Sequence, residues 1–154
     1  MLAYLDVFTK KVMGYHIGKS CKAGDLVQTL DQALKAAGIS ADHHLTIRSD
    51  NGPQMSSNKF FFHLRRMEKK LSHEFIPPRT PDRNAFIESF FSTLEREMLR
   101  DRYFATFLDA YNAVVRFIAF YNNRRLHGSL DDRSPEMFIR DWQAGLVGQH
   151  TVSA

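Results

Sequence analysis

The chain has 154 residues, 44% of them hydrophobic and 25% charged, with a formal net charge of +4. That is the composition of one ordinary soluble domain, large enough to bury a core. The single cysteine, Cys21, excludes an internal disulfide framework and a multi-cysteine zinc site, no apolar run reaches membrane-spanning length, and the start, MLAYLDVFTKK, lacks the order of a signal peptide.

The sequence therefore reads as a cytosolic protein with no membrane partner. Its positive charge is uneven: residues 48 to 103 hold eleven Lys and Arg against eight Asp and Glu. A polyanion would sit there, with a solvated surface as the plain alternative.

In chain order, Leu2 to Phe8 and Val12 to Ile17 are rich in β-formers around the polar Thr9-Lys10-Lys11, which predicts a hairpin. From Lys22 to Ala37 the apolar residues Leu26, Val27, Leu30, Ala33, Leu34 and Ala37 recur at helical spacing, with Gly38 placed to end the helix. His44 to Arg48 is a short strand that stops at Ser49-Asp50-Asn51-Gly52-Pro53, a string of turn formers. Ser57 is placed to cap a helix running to about Lys70, and a strand follows near Ser72 to Ile76. Pro77, Pro78 and Pro81 predict an extended loop. Helices follow at Arg83 to Leu99, Thr106 to Asn122 and Ser134 to Trp142, the last with Pro135 in its first turn. Strands alternating with helices, then helices alone, indicate one α/β domain with a helical tail.

Two carboxylates stand out. Asp50 ends a strand, and Glu88 lies early in a helix 38 positions later. Such a pair can converge on a hard divalent cation, which takes oxygen ligands; surface solvation or helix capping is the plain reading. Their surroundings carry more. Ile47-Arg48-Ser49-Asp50-Asn51-Gly52-Pro53-Gln54 resembles the second-aspartate motif of bacterial insertion-sequence transposases and retroviral integrases. Residues 81 to 94, PDRNAFIESFFSTL, are similar to the glutamate helix of that family, and residues 121 to 130, YNNRRLHGSL, through Ser134-Pro135 resemble its terminal signature. Leu5 to Tyr15 match the hairpin that follows the first catalytic strand.

The resemblance implies a DDE transposase or integrase core: an α/β, ribonuclease-H-like mixed sheet with flanking helices and a helical C-terminal tail. Residues 1–145 would form the core and 146–154 a flexible tail. It implies phosphoryl transfer on DNA dependent on Mg2+ or Mn2+, with transposon ends and target DNA as partners in a homo-oligomer, in the bacterial cytosol or nucleoid. Asp50 and Glu88 are the implied catalytic metal ligands. Arg48, Asn51, Asn84, Arg83, Arg96, Arg125 and His127 are the candidate DNA contacts, with bracing of the terminal helices the alternative for Arg125 and His127.

Two departures from the family matter. Its first catalytic aspartate lies on the central strand just before the hairpin, whereas this chain begins inside the hairpin's own first strand, so the chain alone is expected not to catalyse strand transfer. Asp6 then reads as a turn-supporting carboxylate, with recruitment as a substitute metal ligand as the alternative. Glu95 stands where a basic residue is usual, and its neighbour Arg96 points about 100° away around the helix. The competing functional class is an inactive transposase remnant that still binds DNA or assembles.

The remaining features have plain readings. His43 and His44 would face opposite sides of a strand. Phe60-Phe61-Phe62 and the stripe Phe107, Leu108, Tyr111, Val114, Val115 and Ile118 are read as helix core. Arg65, Arg66, Lys69 and Lys70 are read as a solvated exterior.

Overall fold

A computed structural model of the protein describes residues 1–38, 44–67, 71–77 and 84–148. Arg83, Asp82, Pro81, Arg79, Lys69, Lys70 and His43 lie outside the described residues. The elements follow the expected order. The hairpin is β1 (Leu2–Leu5) and β2 (Val12–His16); then come α1 (Ala23–Ala37), β3 (Leu45–Ser49), α2 (Asn58–Arg66), β4 (Leu71–Phe75), α3 (Ala85–Leu94), α4 (Phe107–Asn123) and α5 (Pro135–Gln143). The chain divides into two compact units, one of residues 1–4 and 13–85, the other of residues 5–12 and 86–154.

In the first unit β1 pairs with β2, and β3 pairs with β4 in parallel, Ile47 opposite His73 and Ser49 opposite Phe75. The core is built from Leu26 and Leu30 of α1, Ile47 of β3, Phe60 of α2 and Leu71 of β4, with Leu2 and Tyr4 of β1 packed against it. Gly14 in β2 permits close approach to α1, because a Cβ there would meet the Thr29 carbonyl oxygen at 2.6 Å. Gly38 ends α1 in the left-handed conformation (φ 60°), as its placement in the sequence predicts.

The second unit buries Phe90, Leu94, Met98, Val114, Phe117, Ile118, Tyr121, Leu130 and Phe138. The hairpin tip contributes Phe8, whose ring meets Phe138 and Trp142 edge-on at 5.3 and 5.4 Å. Caps set the helix starts. Thr106 and Asp109 form a reciprocal capping box on α4, and Ser134 caps α5 while its hydroxyl donates to the Asn123 carbonyl at 3.0 Å.

Three expectations change. The aromatic triplet splits: Phe60 is fully buried, whereas Phe61 and Phe62 are 51% and 61% exposed. Three consecutive helical residues span about 200° of azimuth, wider than one buried face. The stripe on α4 divides along the helix instead, Phe107, Leu108 and Tyr111 of its first turns being exposed while Val114 and Ile118, further along the same face, are buried. The helix expected to run on to Leu99 passes into a π-helical segment, Glu95–Leu99, closed by Arg100 N–H donating to the Glu95 carbonyl at 2.7 Å.

The aromatic split yields a stability prediction. Phe60→Ala should cost about 3 to 5 kcal/mol, whereas Phe62→Ala should lie within about 0.5 kcal/mol of the parent in chemical denaturation. Equal losses would place both rings in the core and contradict this packing.

Candidate active site

Asp50 lies one residue beyond β3. Alternation along the paired strands puts Ile47, Ser49, Leu71 and His73 on one face and Thr46, Arg48, Ser72 and Glu74 on the other. The second face is polar: the Thr46 and Ser72 hydroxyls are 3.0 Å apart, and Arg48 Nε donates to Glu74 Oε2 at 3.1 Å. Arg48, a candidate DNA contact, thus has its guanidinium on a cross-strand carboxylate.

The parallel pairing runs past the strand end and holds the aspartate loop. Ile76 N–H donates to the Ser49 carbonyl at 2.8 Å, and Asn51 Nδ2 donates to the Ile76 carbonyl at 3.2 Å. Gly52 N–H donates to Asp50 Oδ1 at 3.0 Å, and a Cβ on Gly52 would press on that same oxygen at 3.0 Å. Asp50 itself is exposed, and its Oδ2 accepts no hydrogen bond among the described residues. An exposed carboxylate oxygen on a fixed backbone is a donor suited to a hard divalent cation.

Behind the loop, Ser49 is 6% exposed, and its hydroxyl lies 2.8 Å from His73 Nε2 and 2.9 Å from the Asp50 carbonyl oxygen. The His73 ring is edge-on to Phe60 at 5.4 Å and tilted on Phe75 at 4.2 Å. Burial pushes its pKa below the usual histidine value, so it is neutral at pH 7. Neither Ser49 nor His73 was singled out for the site from sequence. The one available signal was their register on adjacent strands.

Glu88 belongs to the second unit. It is exposed in the first turn of α3, where the helix dipole favours an anion. Asn84, half-buried, lies in the first unit just before α3. Asp6 serves the hairpin turn: its carboxylate accepts from Phe8 N–H and Thr9 N–H, each at 3.2 Å, and from the Thr9 hydroxyl at 2.5 Å.

The terminal signature is occupied within its own unit. Arg125 forks onto Glu97, with Nη2 to Oε1 at 2.7 Å and Nε to Oε2 at 3.0 Å, and that bond holds the Glu97 carboxyl below its usual range. Arg96 is the more exposed cation, 3.5 Å from Glu97. Asn122 binds both backbone groups of Val12, accepting from its N–H at 2.9 Å and donating to its carbonyl at 3.0 Å. His127 stands edge-on to Tyr121 at 4.8 Å, and its buried Nε2 has no partner among the described residues. Burial first, then the Arg125 charge, lower its pKa to about 4. Asn122 and Glu97 were not among the residues picked from sequence, because their partners are distant in the chain.

The fold is that of retroviral integrase cores. A chain of the simian T-cell lymphotropic virus intasome, in complex with PP2A regulatory subunit B56 gamma, superposes with a TM-score of 0.67 at 16% identity, over 97% of this chain and 49% of that one. The HTLV-2 integrase catalytic core domain, in its dimeric magnesium complex, gives 0.53 at 18% identity, over 87% and 78%.

Family models described as integrase core domain match residues 1–81 and 69–135, and the chain belongs to that family. The transposase for insertion sequence IS904 of Lactococcus lactis is 32% identical over 136 residues, 87% of this chain and 52% of that protein. InsK, the putative transposase for IS150 of Escherichia coli, is 26% identical over 136 residues, 85% and 45%. The chain thus spans about half the length of these relatives.

The two depressed histidines make stability depend on pH. Between His127's folded value of about 4 and the ordinary 6.5 the unfolded chain binds more protons than the folded one, so stability falls as pH drops through that window. His73 acts in the same direction. The thermal midpoint should decrease from pH 7 to pH 5, and less steeply in His127→Gln. A midpoint independent of pH, or a slope unchanged in that variant, would contradict the assignment.

Proposed function

We propose that the chain is part of the catalytic core of a DNA transposase, supplying Asp50 and Glu88 as two of the acids that hold Mg2+ or Mn2+ for phosphoryl transfer on DNA. The observation that carries this reading is the presentation of Asp50: exposed, one oxygen without a donor among the described residues, on a backbone tied to the end of β4. It occurs in a chain of the integrase core family whose relatives include insertion-sequence transposases. The magnesium complex of the HTLV-2 core supports the choice of ion, and its dimeric form supports a homo-oligomer.

When bound, the metal supplies charge stabilisation to the attacking and leaving oxygens of an in-line displacement. The chain's own part is to present the two carboxylates and to hold the DNA backbone near them. Asp6 is assigned to the hairpin turn rather than to the metal, since three donors already converge on its carboxylate. Arg125 and His127 are assigned to bracing, on the strength of the Glu97 fork and the Tyr121 contact. Phosphate contact then falls to Arg83 and Arg96, with Asn51 and Asn84 flanking the carboxylates and Arg48 contributing less because it shares Glu74.

DNA binding tests the reading. The logarithm of the duplex affinity should fall linearly with the logarithm of salt concentration, through counterion release, with little dependence on sequence. Replacing Arg83 and Arg96 together by Gln should flatten that slope by up to about two units. No binding at low salt, or a slope unmoved by the double replacement, would count against phosphate contact at these positions.

A further inference from the structure

We infer that His73 is a positioning residue for Asp50, its imidazole Nε2–H donating to the Ser49 hydroxyl, which donates in turn to the Asp50 carbonyl. The inference deepens the proposed function and rests on its reading of Asp50 as a metal ligand.

The direction of the relay follows from proton count. The Ser49 hydroxyl has one hydrogen and lies within bonding distance of two groups, the Asp50 carbonyl oxygen at 2.9 Å and His73 Nε2 at 2.8 Å. A carbonyl oxygen only accepts. Both contacts are therefore satisfied together in one arrangement: the hydroxyl hydrogen goes to Asp50, and the hydrogen between serine and histidine comes from Nε2. The reverse tautomer, with the hydrogen on Nδ1, would force the hydroxyl to donate to histidine and would leave the Asp50 carbonyl out of the chain.

The ring is held for this task from two sides by Phe60 and Phe75, and Ser49 is buried, so water competes poorly for either bond. The relay grips the peptide that follows Asp50 from behind, while Gly52 N–H engages the carboxylate in front and Asn51 ties the next residue to Ile76. The aspartate thus keeps one carboxylate oxygen outward on a backbone with little freedom to turn. Such outer contacts tune a metal site without touching the ion.

Two readouts on the 154-residue chain test this. Long-range proton–nitrogen correlation on chain carrying 15N-histidine reads the tautomer of His73 directly, and the Nε2–H form is expected. Mn2+ affinity, from water-proton relaxation, is compared in the parent, His73→Gln, His73→Phe, Ser49→Ala and Asp50→Asn. His73→Phe and Ser49→Ala should each weaken Mn2+ binding roughly tenfold. His73→Gln, whose amide nitrogen can take the place of Nε2, should stay near the parent. Ser49→Ala removes only a hydroxyl and guards against a His73→Phe chain that fails to fold. An Nδ1–H tautomer, or parent-like Mn2+ affinity in both relay-breaking variants when Asp50→Asn abolishes it, would overturn the inference. Mn2+ binding indifferent to Asp50→Asn would instead sink the metal reading of Asp50, and the tautomer would then decide the relay by itself.

Discussion

The parallel pairing of β3 with β4 is the constraint from which the candidate site follows. Parallel strands leave their carboxyl ends side by side, so the loop leaving β3 can be stitched to the residues leaving β4. Here that stitching takes the form of Ile76 N–H to the Ser49 carbonyl and Asn51 to the Ile76 carbonyl. Asp50 sits between these bonds, which is why an exposed acidic side chain has a fixed origin. Without the pairing, the run from Ser49 to Pro53 is only a string of turn formers. The apolar face of the same pair supplies Ile47 and Leu71 to the core, so packing and site geometry share one element.

In the second unit the residues of the terminal signature act mainly on each other. Arg125 fixes the π-helical segment through Glu97, Asn122 satisfies both backbone groups of Val12, and Ser134 joins the end of α4 to the start of α5. A charge-assisted fork such as Arg125 with Glu97 is among the stronger polar contacts a partly exposed site can make. Residues that resemble a functional signature are thereby given a structural occupation.

Element types and order were legible in the sequence wherever a local signal existed. Gly38, Ser57, Thr106 and Ser134 each mark a helix end through their own side chain or its absence, and Asp50 follows a strand and Glu88 lies early in a helix as the local pattern predicts. What was not legible depends on azimuth or on partners far along the chain. The division of Phe60 from Phe61 and Phe62 is decided by which flank of α2 meets the sheet. The π-helical segment changes the turn just where the comparison of Glu95 with Arg96 assumed a regular helix. His73 lies 24 residues from Ser49 and is brought to it only by the strand register.

The central claim is that the loop leaving β3 presents Asp50 to a divalent cation. Titrating Mn2+ into the 15N-labelled chain tests it most directly, because a bound paramagnetic ion broadens the amide signals of residues near it. The account predicts that the signals from Ser49 to Gly52 broaden with Mn2+ and that Asp50→Asn abolishes the effect. Signals there that stay sharp, or broadening that survives Asp50→Asn, would contradict a metal ligand at Asp50.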